Sequence, residues 1–132
     1  MAYSIQVTTS SVDMIYTAID PDDVSVSNTD DDVIGITVDP TSGLTTTEGG
    51  TSDSFTIRLD SQPIADVTIG LSSNDTSEGL VSPSSLTFTS SNWNTPQTAT
   101  VTGQDDALID GDVLFSIVTS PATSSDSNYN TL

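Results

Sequence analysis

The side chains able to do chemistry in this sequence are almost all carboxylates, and they come in groups. Glu48 stands in "TTTEGG", Asp75 and Glu78 in "SSNDTSEG", and Asp105, Asp106, Asp110 and Asp112 in "QDDALIDGD". A further run, Asp30, Asp31 and Asp32, follows the short segment "VSVSNT". Two unit charges about 4 Å apart interact by about 4 kcal/mol at an effective dielectric near 20. Carboxylates gathered in loops must therefore protonate, spread apart or recruit a cation. The chain has little countercharge of its own: 19 acids face one base, Arg58, lysine and histidine are absent, and the net charge is −18. Calcium answers that need. It takes about six to eight hard oxygen ligands in irregular geometry, and extracellular modules bind it with Kd values of about 10⁻⁴–10⁻³ M. Zinc and copper would normally ask for the missing His or Cys. The plainer reading is a solvated acidic surface that keeps the chain soluble. Such a surface scatters Glu as well as Asp, whereas here Glu occurs only at 48 and 78 and the Asp residues gather in loops.

Other chemistries find less to work with. A nucleophilic triad needs a base of the His type, and none exists. Glu48 and Glu78 meet the minimum of two carboxylates for glycoside hydrolysis, but aromatic residues are only 5% of the chain, too few to line a sugar cleft. The expectation is that the protein is not an enzyme. Trp93, in "SSNWNTP", is the one side chain suited to a carbohydrate contact, although a lone Trp more often packs on a sheet or in a core. Asn74–Thr76 forms a glycosylation sequon. Nucleic acid is excluded as a partner, because nothing could neutralise phosphates. An anionic membrane surface would repel the chain, and no apolar run reaches the roughly 20 residues of a membrane helix. With no cysteine, disulfides and thiolate metal sites are ruled out.

The elements that must position these acids read as strands. "SFTIRLD" puts Phe55, Ile57 and Leu59 on one face; "DVTIGLSS" does so with Val67, Ile69 and Leu71. "SSLTFTS" contributes Leu86 and Phe88, and "QTATVTG" contributes Ala99 and Val101. "IGITVDP" gives Ile34, Ile36 and Val38, and "DVLFSIVTS" gives Val113, Phe115 and Ile117 or the neighbouring register. The runs are short and bounded by Gly, Pro, Asn, Asp or Ser, no window carries a helical period, and the pattern is that of an all-β antiparallel sandwich. A hydrophobic share of 33% and high net charge would otherwise point to disorder, but the alternation argues against it. In such a sandwich alternate loops emerge at the same end, so most of the acidic loops could meet at one pole.

An internal similarity sets the organisation. "YSIQVTTSSVDMIYTAI" (Tyr3–Ile19) and "FSIVTSPATSSDSNYNTL" (Phe115–Leu132) both open on aromatic-Ser-Ile, pass through Ser and Thr, and close on Tyr-x-x-aliphatic. Residues 1–32 then read as the tail strands of a preceding repeat, and residues 33–132 as a sandwich lacking its own last strand. The strand at Val24–Val26 would complete a neighbouring copy, since an unfilled sandwich leaves unpaired backbone groups open to strand addition. Either a tandem chain or separate subunits joined by donated strands would meet that need.

At these residues the sequence resembles the Calx-β domain family. The likeness runs over Ile34–Leu132, with Asp20–Asp32 as the closing strand of the copy before. "TEGGTSDSFTIRLDSQPIADVTIGLSS" is similar to the family's opening, "SSLTFTSSNWNTPQTATVTGQDDALIDGD" to its central part, and "VSVSNTDDD" to its ending; the chain departs from the pattern at Val113, where an acid is frequent. The resemblance implies an immunoglobulin-like sandwich of about seven strands with calcium at one tip. Its implied ligands are Glu48, Asp75, Asp105, Asp106, Asp110 and Asp112, with Asp30, Asp31 and Asp32 serving the preceding domain.

The expected function is a structural repeat unit of a calcium-stiffened extracellular or cell-surface fibre, with copies of itself head to tail as partners. The alternative is an adhesin or carbohydrate-binding module that uses Trp93 and the Ser/Thr-rich faces on surface glycans.

Overall fold

The computed structural model describes all 132 residues. The chain is all-β, with ten strand segments in antiparallel sheets and no helix. It forms two compact units, Met1–Asp31 and Asp32–Leu132.

The first unit is a two-stranded ribbon. Strand β1 (Ala2–Ile5) pairs with β2 (Val24–Ser27), placing Tyr3 opposite Val26 and Ile5 opposite Val24. The ribbon has no second layer within its unit, so Tyr3, Ile5 and Val24 are each 52% exposed. Between the strands, residues 11–19 form a compact turn. Ser11 Oγ accepts from Asp13 N, Asp13 Oδ1 from Ile15 N, the Asp13 carbonyl from Tyr16 N and Thr17 N, and the Tyr16 carbonyl from Ile19 N.

The second unit is a β-sandwich. One sheet has the order β3 (Ile36–Asp39), β4 (Ser52–Leu59), β8 (Gln97–Gly103), β6 (Gly79–Ser82). The other centres on β5 (Val67–Ser73), with β7 (Ser85–Phe88) on one side and β9 (Ile117–Thr119) followed by β10 (Thr123–Ser124) along the other. Alternation places the core: Phe55, Ile57 and Leu59 of β4, Val67, Ile69 and Leu71 of β5, Leu86 and Phe88 of β7, and Ala99 and Val101 of β8 are all buried. These residues face one another across the two layers, so each strand buries one side and shows Thr, Ser and Arg58 on the other. Trp93 packs against this core, and its carbonyl accepts from Leu59 N.

Two apolar positions of the alternating pattern fall outside their strands. Ile34 is 45% exposed and precedes its strand; the last contact with β4 on that side is at Gly35, whose carbonyl receives Asp60 N and over which the Asp60 carboxylate lies. Val113 likewise lies outside β9, which begins only at Ile117. There the Asn74 side chain accepts from Ser116 N, while Asn74 N donates to the Ser116 carbonyl, so a side chain takes the place of a ladder rung.

The C-terminal residues close the unit with a buried knot. Tyr129 is 1% exposed; its hydroxyl accepts from Ser61 N (3.1 Å), donates to the Ser61 carbonyl (2.7 Å) and lies 2.7 Å from Ser61 Oγ. Asp126, also buried, accepts from Ile64 N and Asn128 N. The local bonds here repeat those of residues 11–19 partner for partner: Ser124 to Asp126, Asp126 to Asn128, Tyr129 and Asn130, and Tyr129 to Leu132.

Candidate metal centre

Three loops meet at one end of the sandwich: the one leading into β4, the one from β5 to β6, and the one leaving β8. Backbone bonds fix their approach. Gly103 N, at the end of β8, donates to the Thr51 carbonyl, and the next residue, Gln104, donates to the Glu78 carbonyl. Gly103 must be glycine, since any Cβ there would collide with the Thr47 carbonyl. Glu48 is carried on a turn closed by Gly50 N to the Thr47 carbonyl at 2.9 Å. Asp106 is held by its own loop, its Oδ1 accepting from Leu108 N at 2.8 Å.

The consequence is a carboxylate triad. One oxygen from each of Glu48, Asp106 and Asp110 lies within 4.8 Å of the others, with Asp106 half-buried and the other two exposed. This group could hold a metal ion, and the donors are hard oxygens only. Glu78 stands beside it. Its carboxyl is held above the ordinary glutamate range, first by partial loss of water and then by the negative charges of Asp110, Asp106, Asp75 and Glu48. Asp75 goes the other way: Ser77 donates to it from Oγ (2.6 Å) and from N (3.1 Å), which favours the charged form. No base offsets the group from nearby in the fold. Arg58 lies toward the far end of β4 and pairs with Asp60 at 3.1 Å.

Of the acids singled out in the sequence, the fold brings Glu48, Asp106 and Asp110 together and sets Asp75 near enough to act on Glu78. Asp105 and Asp112 are exposed residues of the same loop outside the triad. Asp30, Asp31 and Asp32 follow β2 and form no such group within the chain. Glu78 is the participant that the ligand set read from sequence lacked. Its signal was the glycine after it: Gly79 begins β6 under the ring of Phe115, leaving no room for a side chain and pinning Glu78 at the loop's exit.

No protein-family model matches the chain, and neither the curated proteins nor the solved structures provide a match. No helix is long and apolar enough to cross a membrane.

Proposed function

We propose that this chain is a structural repeat unit of a calcium-stiffened extracellular or cell-surface fibre, with copies following one another head to tail. The observation that carries the reading is the convergence of Glu48, Asp106 and Asp110 within 4.8 Å, with Glu78 beside them and no base to balance the charge. Calcium suits a largely exposed, all-oxygen group on loops better than zinc or magnesium does. Bound there it would tie the loop leading into β4 to the loop leaving β8 and stiffen the pole of the sandwich. The role needs no catalytic group, in keeping with a sequence that lacks His and Cys. The resemblance to Calx-β domains points the same way. An adhesive role on glycans has less support, since Trp93, the one side chain suited to it, is packed against the core.

The test is a thermal melt in EDTA, repeated with added calcium and with matched magnesium and sodium chloride controls. At calcium a hundredfold above Kd one site adds about 2.7 kcal/mol. For a unit of this size that raises Tm by roughly 10–20 °C. If sodium chloride alone reproduces the shift, the acids are a screened surface and the reading fails.

A further inference from the structure

One side of the second unit's sandwich is open. Between β3 in one sheet and β9 in the other runs a groove of about 390 Å³, lined by Ile36, Val38, Ile57, Ile69, Thr119 and Leu132. No strand pairs with the outer edge of β9 or of β3. An open row of backbone groups beside an apolar groove is a template for a strand whose alternate side chains are apolar.

The first unit shows which strand fits. Residues 11–19 and 124–132 share five hydrogen bonds partner for partner. The segments that precede them, Tyr3-Ser4-Ile5 and Phe115-Ser116-Ile117, share their sequence pattern, with one residue more between segment and turn in the second unit. In the first unit that strand is paired with β2; in the second its counterpart has a bare edge.

With Tyr3 matched to Phe115 by that sequence pattern, the hydrogen-bonding phase agrees. Met1 and Asn28 exchange both of their backbone bonds at 2.8 Å, so Tyr3 with Val26 and Ile5 with Val24 are also bonded pairs. Transferred to the second unit, the bonding groups would have to be those of Phe115 and Ile117. On β9 the even-numbered neighbours are turned inward: the Ser116 carbonyl receives Asn74 N, and Ser120 N donates to the Gly70 carbonyl. The backbone groups of Ile117 therefore point to the open edge. Side chains agree as well, because Phe115 and Ile117 pack against the core and Thr119 lines the groove. A valine opposite Ile117 would face the same way.

We propose that β2 of a second copy of this chain adds to the outer edge of β9 and of the residues leading into it, antiparallel, with Val24 opposite Ile117, Ser25 opposite Ser116 and Val26 opposite Phe115. It leaves its own β1 to do so, exchanging a ribbon whose apolar face is open to water for a groove that covers its valines. This inference rests on the head-to-tail reading above and names its junction.

The chain has no cysteine, so single thiols can be placed at will. Ser116 and Ser25 are exposed and would form a non-bonded antiparallel pair, with Cα atoms about 4.5 Å apart, within disulfide range. S116C protein is mixed with mass-tagged S25C protein and oxidised, in EDTA and in calcium. The expected product is the tagged heterodimer, at a yield at least about fivefold above that of S116C with S27C, which is two residues out of register. A second measurement guards against chance collisions. Light scattering of the wild type should show oligomers growing with concentration, and V26D should remove them while the emission of Trp93 shows the sandwich still folded. A monomer at all concentrations, or equal cross-linking at 25 and 27, overturns the proposal. A calcium-specific rise in Tm without the cross-link would sink the strand exchange alone and leave the calcium reading standing.

Discussion

The buried hydroxyl of Tyr129 should be worth far more than that of Tyr16, its counterpart in the first unit. Replacing Tyr129 by Phe keeps the ring and opens no cavity, but it takes the partner from three groups at once: the N–H, the carbonyl and the hydroxyl of Ser61. Ser61 is only 6% exposed, so water cannot easily take over these bonds. A buried polar group left without a partner costs about 1–3 kcal/mol, and the serine hydroxyl can turn to satisfy one of the others, so the expected loss is about 2–3 kcal/mol. Urea unfolding followed by Trp93, the only tryptophan, reports the second unit alone. With a slope of about 1.5 kcal/mol per molar, Y129F should lower the midpoint by about 1–2 M without changing the slope. Tyr16 is 59% exposed, and Y16F should stay within about 0.5 kcal/mol of the wild type. A Y129F shift below about 0.5 kcal/mol would refute the claim that this knot holds the C-terminal segment to the sandwich.

The acidic pole gives two further predictions. D110N removes a repelling charge and a ligand together, so its midpoint in EDTA should equal or exceed that of the wild type, while in calcium it should fall below it. Its calcium titration should need at least about tenfold more ion. For pH, the folded state keeps a proton on Glu78 above the ordinary glutamate range. The folded chain then binds more protons there than the unfolded one, and its stability in EDTA should fall as pH rises through that window. Asp53 and Asp75 are shifted downward by hydrogen bonds, so their contribution is lost as pH falls below the ordinary aspartate range. A stability maximum at mildly acidic pH is expected, and E78Q should flatten its alkaline side; urea midpoints between about pH 4 and 7 would check both.

The strands that bury one face were legible because period-two alternation is a direct record of that burial. Phe55-x-Ile57-x-Leu59 and Val67-x-Ile69-x-Leu71 could hardly lie otherwise, and they face each other in the core. What alternation could not show is where a strand stops. Ile34 and Val113 continue the apolar pattern on paper, yet each lies beyond the end of its strand, Ile34 past Gly35, where the Asp60 carboxylate crowds the chain, and Val113 past Ser116, whose N–H is taken by the Asn74 side chain. The same limit governs the site. Loop acids can be named from sequence, but their convergence depends on bonds such as Gly103 N to Thr51 and Gln104 N to Glu78, which have no local signature. Glu78 belongs to the pole because of what happens to its glycine neighbour, a contact made by Phe115, far along the chain.

Strand direction links the groove to the acidic pole. Strand β9 starts at the pole, since Ile117 lies opposite Ser73 and the β5–β6 loop follows with Asp75 and Glu78. A β2 strand laid antiparallel on β9 runs toward that pole, and Asp30, Asp31 and Asp32 come within four to six residues of Val26. The incoming copy would therefore bring three more carboxylates to the end of the sandwich that already gathers Glu48, Asp106 and Asp110. Without a cation these charges oppose docking; with calcium they can become ligands, so the ion should strengthen assembly as well as the fold. The yield of the S116C–S25C heterodimer should rise with calcium by about tenfold, a coupling of about 1.4 kcal/mol. Changing all three aspartates to asparagine should raise the yield in EDTA and abolish its dependence on calcium. A yield that calcium leaves unchanged in the wild type would separate the junction from the metal centre.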